Sequence, residues 1–285
     1  MWVISAKLAS AMRIARERGL PGLLQAVGRN VGMRTQQAGL DEATIAWDFF
    51  NSQAATGTMV DVGAHYGCAL RPFARHGWQV FAFEPDAQNR AHLVAEFGAF
   101  PNLAIDPRAV SDTPRQGVTF YRSDVSGGIS GLSAFDPSHR ARGTIDITTL
   151  AELIDTQQVR SIDFLKIDTE GHDLFVLRGL PWATLRPRLI LCEYEDHKTA
   201  PLGYNYQDLA NFLAAQGYMV VTSEWFPIER YGIQHRWRQF AEGQPPPVAD
   251  AQGWGNMLAV RDAADLPALR AACARAAHRE RARTH

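Results

Sequence analysis

The sequence has no long hydrophobic run, few cysteines and no excess of charge of either sign. Because no run of about 18 apolar residues occurs, we expect no transmembrane helix. The three cysteines lie far apart, which argues against a cysteine metal site and fits a reducing compartment. A net charge of −1 gives no support for a nucleic-acid partner. The first residues lack the apolar segment of a signal peptide, so we expect a cytoplasmic protein.

The composition, with 46% hydrophobic and 21% charged residues, allows a large buried core. From residue 58 onward, short apolar segments alternate with segments of helical periodicity, a pattern typical of a parallel sheet. We predict strands at 59–63, 79–83, 102–110, 162–167, 188–193, 218–222 and 257–260. We predict helices near 68–76, 86–98, 149–157, 171–178 and 206–216. The expected fold class is α/β, with a mostly parallel seven-stranded sheet and helices on both faces.

Three parts are expected along the chain: a helical extension at 1–50, a main domain at 51–260 and a helical tail at 261–285. The N-terminal extension is locally basic, and a set of its apolar residues would form one helical stripe: Trp2, Ile4, Leu8, Met12 and Ile14. We expect this helix to cap the core or to line an interface between identical subunits. Peripheral contact with an anionic membrane is the alternative.

The strand–helix alternation is interrupted in the middle of the main domain. Extra strands are expected at 117–122 and 144–148, on either side of a loop rich in glycine and serine at 126–133. Such loops often cover a ligand, and a plain flexible connection is the alternative. A proline-rich connection is expected at 243–256.

Two segments indicate a nucleoside-binding site. The first, at 59–67, is a short apolar strand that runs into a turn containing Gly63 and Gly67. The second is an apolar strand that ends in Glu84, 23 residues after Asp61. This separation is expected of one strand–helix–strand unit, which binds a nucleoside at the ends of two parallel strands.

The residue types in these segments favour one nucleoside cofactor over another. Gly63 and Gly67 allow a sharp turn where side chains would block a ligand, and a helix beginning near Gly67 would direct free N–H groups there. Glu84 can accept hydrogen bonds from the two hydroxyls of a ribose. A dinucleotide site usually has a third glycine, and Asp61 would repel a pyrophosphate. These features favour S-adenosylmethionine, with its cationic amino-acid part, over NAD.

Acidic and histidine side chains follow two later strands. The strand at 162–167 is followed by Asp168, Glu170, His172 and Asp173. The next strand is followed by Glu193, Glu195, Asp196 and His197. Because ligands of open α/β sheets bind outside the carboxyl ends of the strands, we expect these side chains near Asp61 and Glu84.

Together these segments resemble the FkbM family of S-adenosylmethionine-dependent methyltransferases, over roughly residues 57–200. The resemblance rests on Val60-Asp-Val-Gly-Ala-His-Tyr-Gly67, Phe83-Glu-Pro85, Ala109-Val-Ser-Asp112, Thr149-Leu150 and Leu165-Lys-Ile-Asp-Thr-Glu-Gly171. It implies a Rossmann-like class I methyltransferase fold and O-methylation of a sugar, glycan or secondary metabolite. The product would be S-adenosylhomocysteine, and the partner a small-molecule or glycan acceptor.

The resemblance also implies roles for single residues. Asp61, Gly63 and Gly67 would shape the pocket around the methionine part of the cofactor. Glu84 would bind the ribose hydroxyls, and Ser111 and Asp112 would lie near the adenine. His65 would line the floor of the pocket, with a solvated turn histidine as the alternative. Ala64, Pro85 and Asp168 are the other candidate cofactor-binding residues.

Methyl transfer to a hydroxyl requires a group that removes the proton. Asp168 is the first candidate for the general base or for the group that orients the acceptor. A carboxylate is a weak base for an alcohol unless its pKa is raised, which the like charge of Glu170 would do. His172 and His197 are rival bases with a pKa nearer neutrality.

Three alternatives remain open. Asp168, Glu193 and Asp196 would bind Mg²⁺ and lower the pKa of the acceptor directly, although we favour catalysis without a metal. A nucleotide-dependent oxidoreductase is disfavoured by the missing third glycine. A non-catalytic binding protein on the same fold would bind the cofactor without turnover.

Overall fold

The computed structural model describes residues 39–53, 55–123, 127–229, 235–243 and 246–284. Two compact units divide the chain, residues 1–39 with residue 285 and residues 40–284, and nearly all described residues belong to the second. The predicted N-terminal stripe from Trp2 to Ile14 lies outside the described residues. Among the described helices, none is both long enough and apolar enough to cross a membrane.

The described residues form helices and strands that alternate as predicted. The helices are α1 Glu42–Asn51, α2 Arg71–Arg75, α3 Ala87–Phe97, α4 Leu150–Thr156, α5 Asp173–Arg178, α6 Asp196–Thr199, α7 Tyr206–Ala215 and α8 Leu266–Thr284. The strands are β1 Thr58–Val62, β2 Gln79–Phe83, β3 Leu103–Asp106, β4 Ala109–Val110, β5 Arg115–Ser123, β6 His139–Thr148, β7 Phe164–Ile167, β8 Leu189–Glu195, β9 Met219–Trp225, β10 Trp237–Gly243 and β11 Trp254–Val260.

The central sheet has eight strands in the order β10-β9-β11-β8-β7-β1-β2-β3. The pairs from β8 to β3 are all parallel. β11 lies antiparallel between β8 and β9, and β10 pairs antiparallel with β9 at the edge. The predicted α/β fold with a mostly parallel, Rossmann-like sheet is confirmed, with one strand more than the seven predicted.

Helices cover both faces of the sheet because buried side chains of the central strands point alternately to the two faces. In β1, Val60 and Val62 belong to the hydrophobic cluster that contains residues of α4, α5 and α7. Met59 belongs to the cluster on the other face, which contains residues of α1, α2, α3 and α8. A central parallel strand is buried on both sides in this way, which leaves the strand ends as the places where polar side chains can reach a ligand.

The helices α1 and α8 contact each other and contribute to the core. α1 begins after Asp41, whose side chain caps it, and its Ile45 is fully buried. In α8, Leu269 is also fully buried. Both helices belong to the compact unit that runs from Leu40 to Thr284.

The segment predicted as a single strand at 102–110 instead forms two strands in different sheets. β3 pairs with β2, whereas β4 pairs with β6 in a second sheet of order β4-β6-β5. The break falls at Pro107, which has no N–H to continue the ladder, and Asp106 accepts a hydrogen bond from the N–H of Arg108 there. The extra strands predicted at 117–122 and 144–148 are confirmed as the antiparallel pair β5 and β6.

The C-terminal part of the sheet also differs from the prediction. β10 has no counterpart among the predicted strands, because its residues are half-buried or exposed and show no alternation. β11 begins at Trp254 rather than at 257. The buried Glu224 of β9 accepts hydrogen bonds from the N–H groups of Ala249 and Asp250, which holds the end of the proline-rich connection against the sheet.

Candidate active site

A cavity of about 430 Å³ opens at the carboxyl ends of β1, β2 and β7. The predicted site residues that line it are Gly63, Ala64, His65, Glu84, Pro85, Asp168, Glu170 and His172. This is the edge at which open α/β sheets bind their ligands. Residues that follow three separate strands therefore line one cavity, whereas the predicted residues Asp61 and Gly67 are not part of its lining.

A buried lysine connects the ends of β1 and β7. Lys166 lies opposite Asp61 in the parallel register of these strands. Its Nζ is 3.1 Å from Asp61 Oδ1 and 3.5 Å from Asp168 Oδ2, and it donates a hydrogen bond to the carbonyl of Gly63 at 2.7 Å. Burial raises the pKa of Asp61, and the charge of Lys166 opposes that rise. Among the described residues, Asp61 Oδ2 has no hydrogen-bond partner.

The two glycines of the turn after β1 lie against other parts of the protein. Gly63 has φ +77°, and a Cβ there would lie 1.9 Å from the carbonyl oxygen of Asp168. Gly67 also has φ +77°, and its Cβ would lie 2.6 Å from the ring of Phe97. Close packing against the end of β7 and against α3 therefore requires both glycines.

The prediction that a helix begins near Gly67 is wrong. α2 begins only at Arg71 and is five residues long. The N–H groups of Gly63 and Ala64 instead donate to the carbonyl of Phe83. The N–H of His65 donates to Glu84 Oε2 at 2.6 Å. The N–H groups of the turn therefore bind to the end of β2, and the one from His65 orients Glu84.

Glu84 is held in one orientation by backbone donors. Besides the bond from His65, its Oε1 accepts a hydrogen bond from the N–H of Asp86 at 2.8 Å. Its side chain is only 5% exposed, and burial raises the pKa of Glu84 to about 7, against the lowering effect of these two bonds. A carboxylate oxygen has two lone pairs, so both oxygens keep acceptor capacity toward the cavity.

Ser111 and Asp112 lie in a neighbouring cavity of about 450 Å³. The two cavities share His172, while Ala109 and Val110 line the cavity at the ends of β1, β2 and β7. Burial and the charge of Arg115 lower the pKa of His172 to about 4, so its imidazole is neutral at physiological pH. The predicted adenine residues are therefore adjacent to the main cavity but not part of its lining.

Glu170 belongs to a buried cluster of three glutamates around Lys198. Lys198 Nζ is 2.7 Å from Glu170 Oε2, 3.0 Å from Glu193 Oε2 and 2.9 Å from Glu195 Oε2. Burial raises the pKa of Glu170, Lys198 opposes this, and the like charge of Asp168 adds to it. The predicted like-charge effect between Asp168 and Glu170 thus acts on the pKa of Glu170.

The predicted magnesium ligands are only partly brought together. The carboxylate oxygens of Asp168, Glu170 and Glu193 lie within 4.8 Å of one another. Asp196 is not part of this group, and its Oδ1 accepts a hydrogen bond from the N–H of Tyr206 at 2.6 Å. His197 is exposed and is not part of the cavity lining, so nothing in the geometry supports its predicted role as a base.

Two residues that line the cavity have a positive φ, which is unusual for residues other than glycine. His65 has φ +49° and Glu170 has φ +56°. Each such residue costs of order 1–3 kcal/mol, and such strain is found preferentially at functional sites. Burial also lowers the pKa of His65, which stacks on Tyr66 at 3.8 Å between ring centroids.

Part of the predicted glycine- and serine-rich loop lies over the cavity. Its lining includes Gly128, Ser130, Gly131 and Leu132, which we call the covering segment (residues 128–132). Gly131 exchanges two backbone hydrogen bonds with Tyr121 of β5, each 2.9 Å long. The covering segment is therefore attached to the second sheet.

Several side chains in or beside the cavity lining were not predicted. Asp41 and Glu42 of the α1 N-terminus and Asn256 of β11 line the cavity. No motif marked them, since they come from parts of the chain far from the recognised segments. Lys198 follows Glu195 by three residues, a spacing that would have indicated an ion pair on a helix.

The sequence model of the methyltransferase FkbM domain matches residues 61–220 of this chain. The match contains Asp61, Glu84, Asp168, Glu170 and Lys198 and therefore includes most of the site. No curated protein matches the chain significantly.

Several solved methyltransferase structures have similar backbones. A putative O-methyltransferase from Klebsiella pneumoniae is 10% identical, with a TM-score of 0.43, and the match covers 80% of this chain and 83% of that protein. Magnesium protoporphyrin IX methyltransferase from Synechocystis, crystallised with bound SAM, is 10% identical, with a TM-score of 0.40 and coverages of 78% and 77%. A TehB-like SAM-dependent methyltransferase from Corynebacterium glutamicum is 10% identical, with a TM-score of 0.39 and coverages of 89% and 99%.

Proposed function

Since the chain belongs to the FkbM methyltransferase family, we propose that it transfers a methyl group from S-adenosylmethionine to a hydroxyl of a sugar, glycan or secondary metabolite. The observation that carries the proposal is Glu84, a buried carboxylate at the end of β2 that lines the cavity and is oriented by two backbone N–H groups. This arrangement suits the two hydroxyls of a ribose, because charge-assisted hydrogen bonds are the stronger kind.

A second observation supports a cationic cofactor. Among the described residues, the acidic side chains that line the cavity are Asp41, Glu42, Glu84, Asp168 and Glu170, and Lys166 is the only lysine in that lining. An acidic cavity suits the amino group and the sulfonium of S-adenosylmethionine. It also favours an uncharged acceptor over one that carries phosphates.

The bound cofactor would supply a methyl group on a positively charged sulfur, which leaves with the electron pair of the broken carbon–sulfur bond. The protein's part is to hold the acceptor oxygen in line with the methyl carbon and to take up the proton. Glu170 is the better base of the two carboxylates, because burial raises its pKa toward that of a useful proton acceptor. Asp168, whose side chain is 46% exposed and lines the cavity, would orient the acceptor hydroxyl.

The first experiment is a calorimetric titration of the protein with S-adenosylhomocysteine, with NAD as the parallel control. Binding of S-adenosylhomocysteine alone supports the proposal, and binding of NAD alone refutes it. A screen for methyl transfer should then compare neutral glycosides with sugar phosphates and nucleotide sugars. Binding of the cofactor without turnover of any acceptor would favour the non-catalytic alternative.

A further inference from the structure

The glutamate cluster beside the cavity has the form of a carboxylate cage for a cation. Glu170 comes from the loop after β7, whereas Glu193 and Glu195 lie two residues apart on β8 and so point to the same side of the sheet. Lys198 follows in α6, and its side chain is 2% exposed. One oxygen of each glutamate lies between 2.7 and 3.0 Å from Lys198 Nζ.

Lys198 Nζ donates a hydrogen bond to Glu193 Oε2. The nearest oxygens of Glu170 and Glu195 lie at ion-pair distance from the same nitrogen, so one ammonium group faces three carboxylates. A divalent cation such as Mg²⁺ or Ca²⁺ would use the same carboxylate oxygens as its ligands, at about 2.0–2.6 Å. Two of the three carboxylates that could otherwise hold a metal, Glu170 and Glu193, are already bound to Lys198.

We propose that Lys198 is a built-in cation that occupies the place of a divalent metal and positions Glu170 toward the acceptor. The local backbone fits this role. Gly171 has φ +98°, and a Cβ there would lie 3.1 Å from Lys198 Cβ, so glycine allows the turn that carries Glu170 to approach the lysine. Lys198 Nζ also lies 5.4 Å from the centroid of the Phe135 ring, shortly after the covering segment.

The role of Lys198 as a positioning residue rests on the proposed function, but the cation site can be tested without an acceptor. The probe is Mn²⁺, titrated into the full-length protein and followed by electron paramagnetic resonance. We expect no specific Mn²⁺ binding by the wild type. We expect Lys198→Ala to bind a single Mn²⁺, because removal of the ammonium leaves three buried carboxylates that need a cation. The double variant Lys198→Ala/Glu193→Gln should lose that binding.

Turnover supplies the second test once an acceptor is known. Wild-type activity should be insensitive to EDTA. Lys198→Ala should turn over about 100-fold more slowly, the order expected when a general base is displaced, and Mn²⁺ should restore part of the loss. The affinity for S-adenosylhomocysteine should stay nearly unchanged, because Lys198 does not line the cavity.

Each result has a separate meaning. Tight Mn²⁺ binding by the wild type, or inhibition by EDTA, overturns the proposal even if Lys198→Ala does not fold. A folded Lys198→Ala that gains no Mn²⁺ site also overturns it. Failure of the wild type to bind S-adenosylhomocysteine would instead contradict the proposed function. The Mn²⁺ titration would still decide whether Lys198 occupies a cation site.

Discussion

Replacement of Glu84 by glutamine should weaken the binding of S-adenosylhomocysteine and remove its dependence on pH. The carboxylate of Glu84 accepts the stronger, charge-assisted hydrogen bonds from the ribose hydroxyls only when it is ionised. Burial raises its pKa to about 7 in the unliganded protein, so the neutral form is abundant at slightly acidic pH. Wild-type affinity should therefore rise as the pH rises through 7.

The magnitude follows from the titration. For a group with a pKa of about 7, the ionised fraction is about one tenth at pH 6 and about nine tenths at pH 8, so the affinity should rise about tenfold over this range. At pH 8, loss of the charged acceptor should cost about 1.5–3 kcal/mol, which is about 10- to 150-fold in Kd. The amide of Glu84→Gln does not titrate, so its Kd should change much less between these two values.

Isothermal titration calorimetry at several pH values measures both effects. Glu96→Gln is the matched control, because Glu96 is an exposed residue of α3 that pairs with Arg71 and does not line the cavity. A wild-type Kd that stays constant across this range, or a Glu84→Gln variant with wild-type affinity at pH 8, would refute the assignment of Glu84 to the ribose.

Three further predictions concern other residues. Glu170→Gln should lower kcat by about 10²–10⁴-fold, while the Kd for S-adenosylhomocysteine stays near that of the wild type. Asp168→Asn should also lower kcat. If kcat is unchanged in either variant, the replaced residue takes no part in the reaction. Burial raises the folded-state pKa of Glu42 from 4.5 to about 7, so its contribution to stability is full below pH 4.5 and is lost as the pH rises to 7. The loss amounts to up to about 3 kcal/mol of unfolding free energy, and Glu42→Gln should abolish it. Denaturant titrations at both ends of this pH range measure the effect. Gly63→Ala should lower Tm more than Gly117→Ala, because both have positive φ but only the former would place a Cβ against backbone; equal shifts would contradict this reasoning.

The general location of the site could be predicted because strand ends are visible in the sequence. A short apolar run that stops at a polar residue indicates both the strand and its carboxyl end, as Asp168 and Glu84 show. Parallel strands bring such ends to one edge, so the two residues meet although they are far apart in the chain. In the structure both residues line the cavity at the ends of β1, β2 and β7.

The roles of the same residues were harder to predict, because they depend on neighbours that are distant in sequence. Asp61 is paired with Lys166 only because β1 and β7 are adjacent in the sheet. The raised pKa of Glu170 results from burial, which depends on the packing around it. Gly63 is required by the carbonyl of Asp168, which lies just after β7 and is far from Gly63 in the sequence.

The sequence by itself determined the alternation of strands and helices, the nucleoside-binding motif and the family, because each depends on local periodicity or on short motifs. Only the tertiary structure decided that Lys198 sits among three glutamates and that Glu42 reaches the cavity from α1. Electrostatic partners and burial are properties of the packed chain, since they arise from contacts between segments that the sequence leaves far apart.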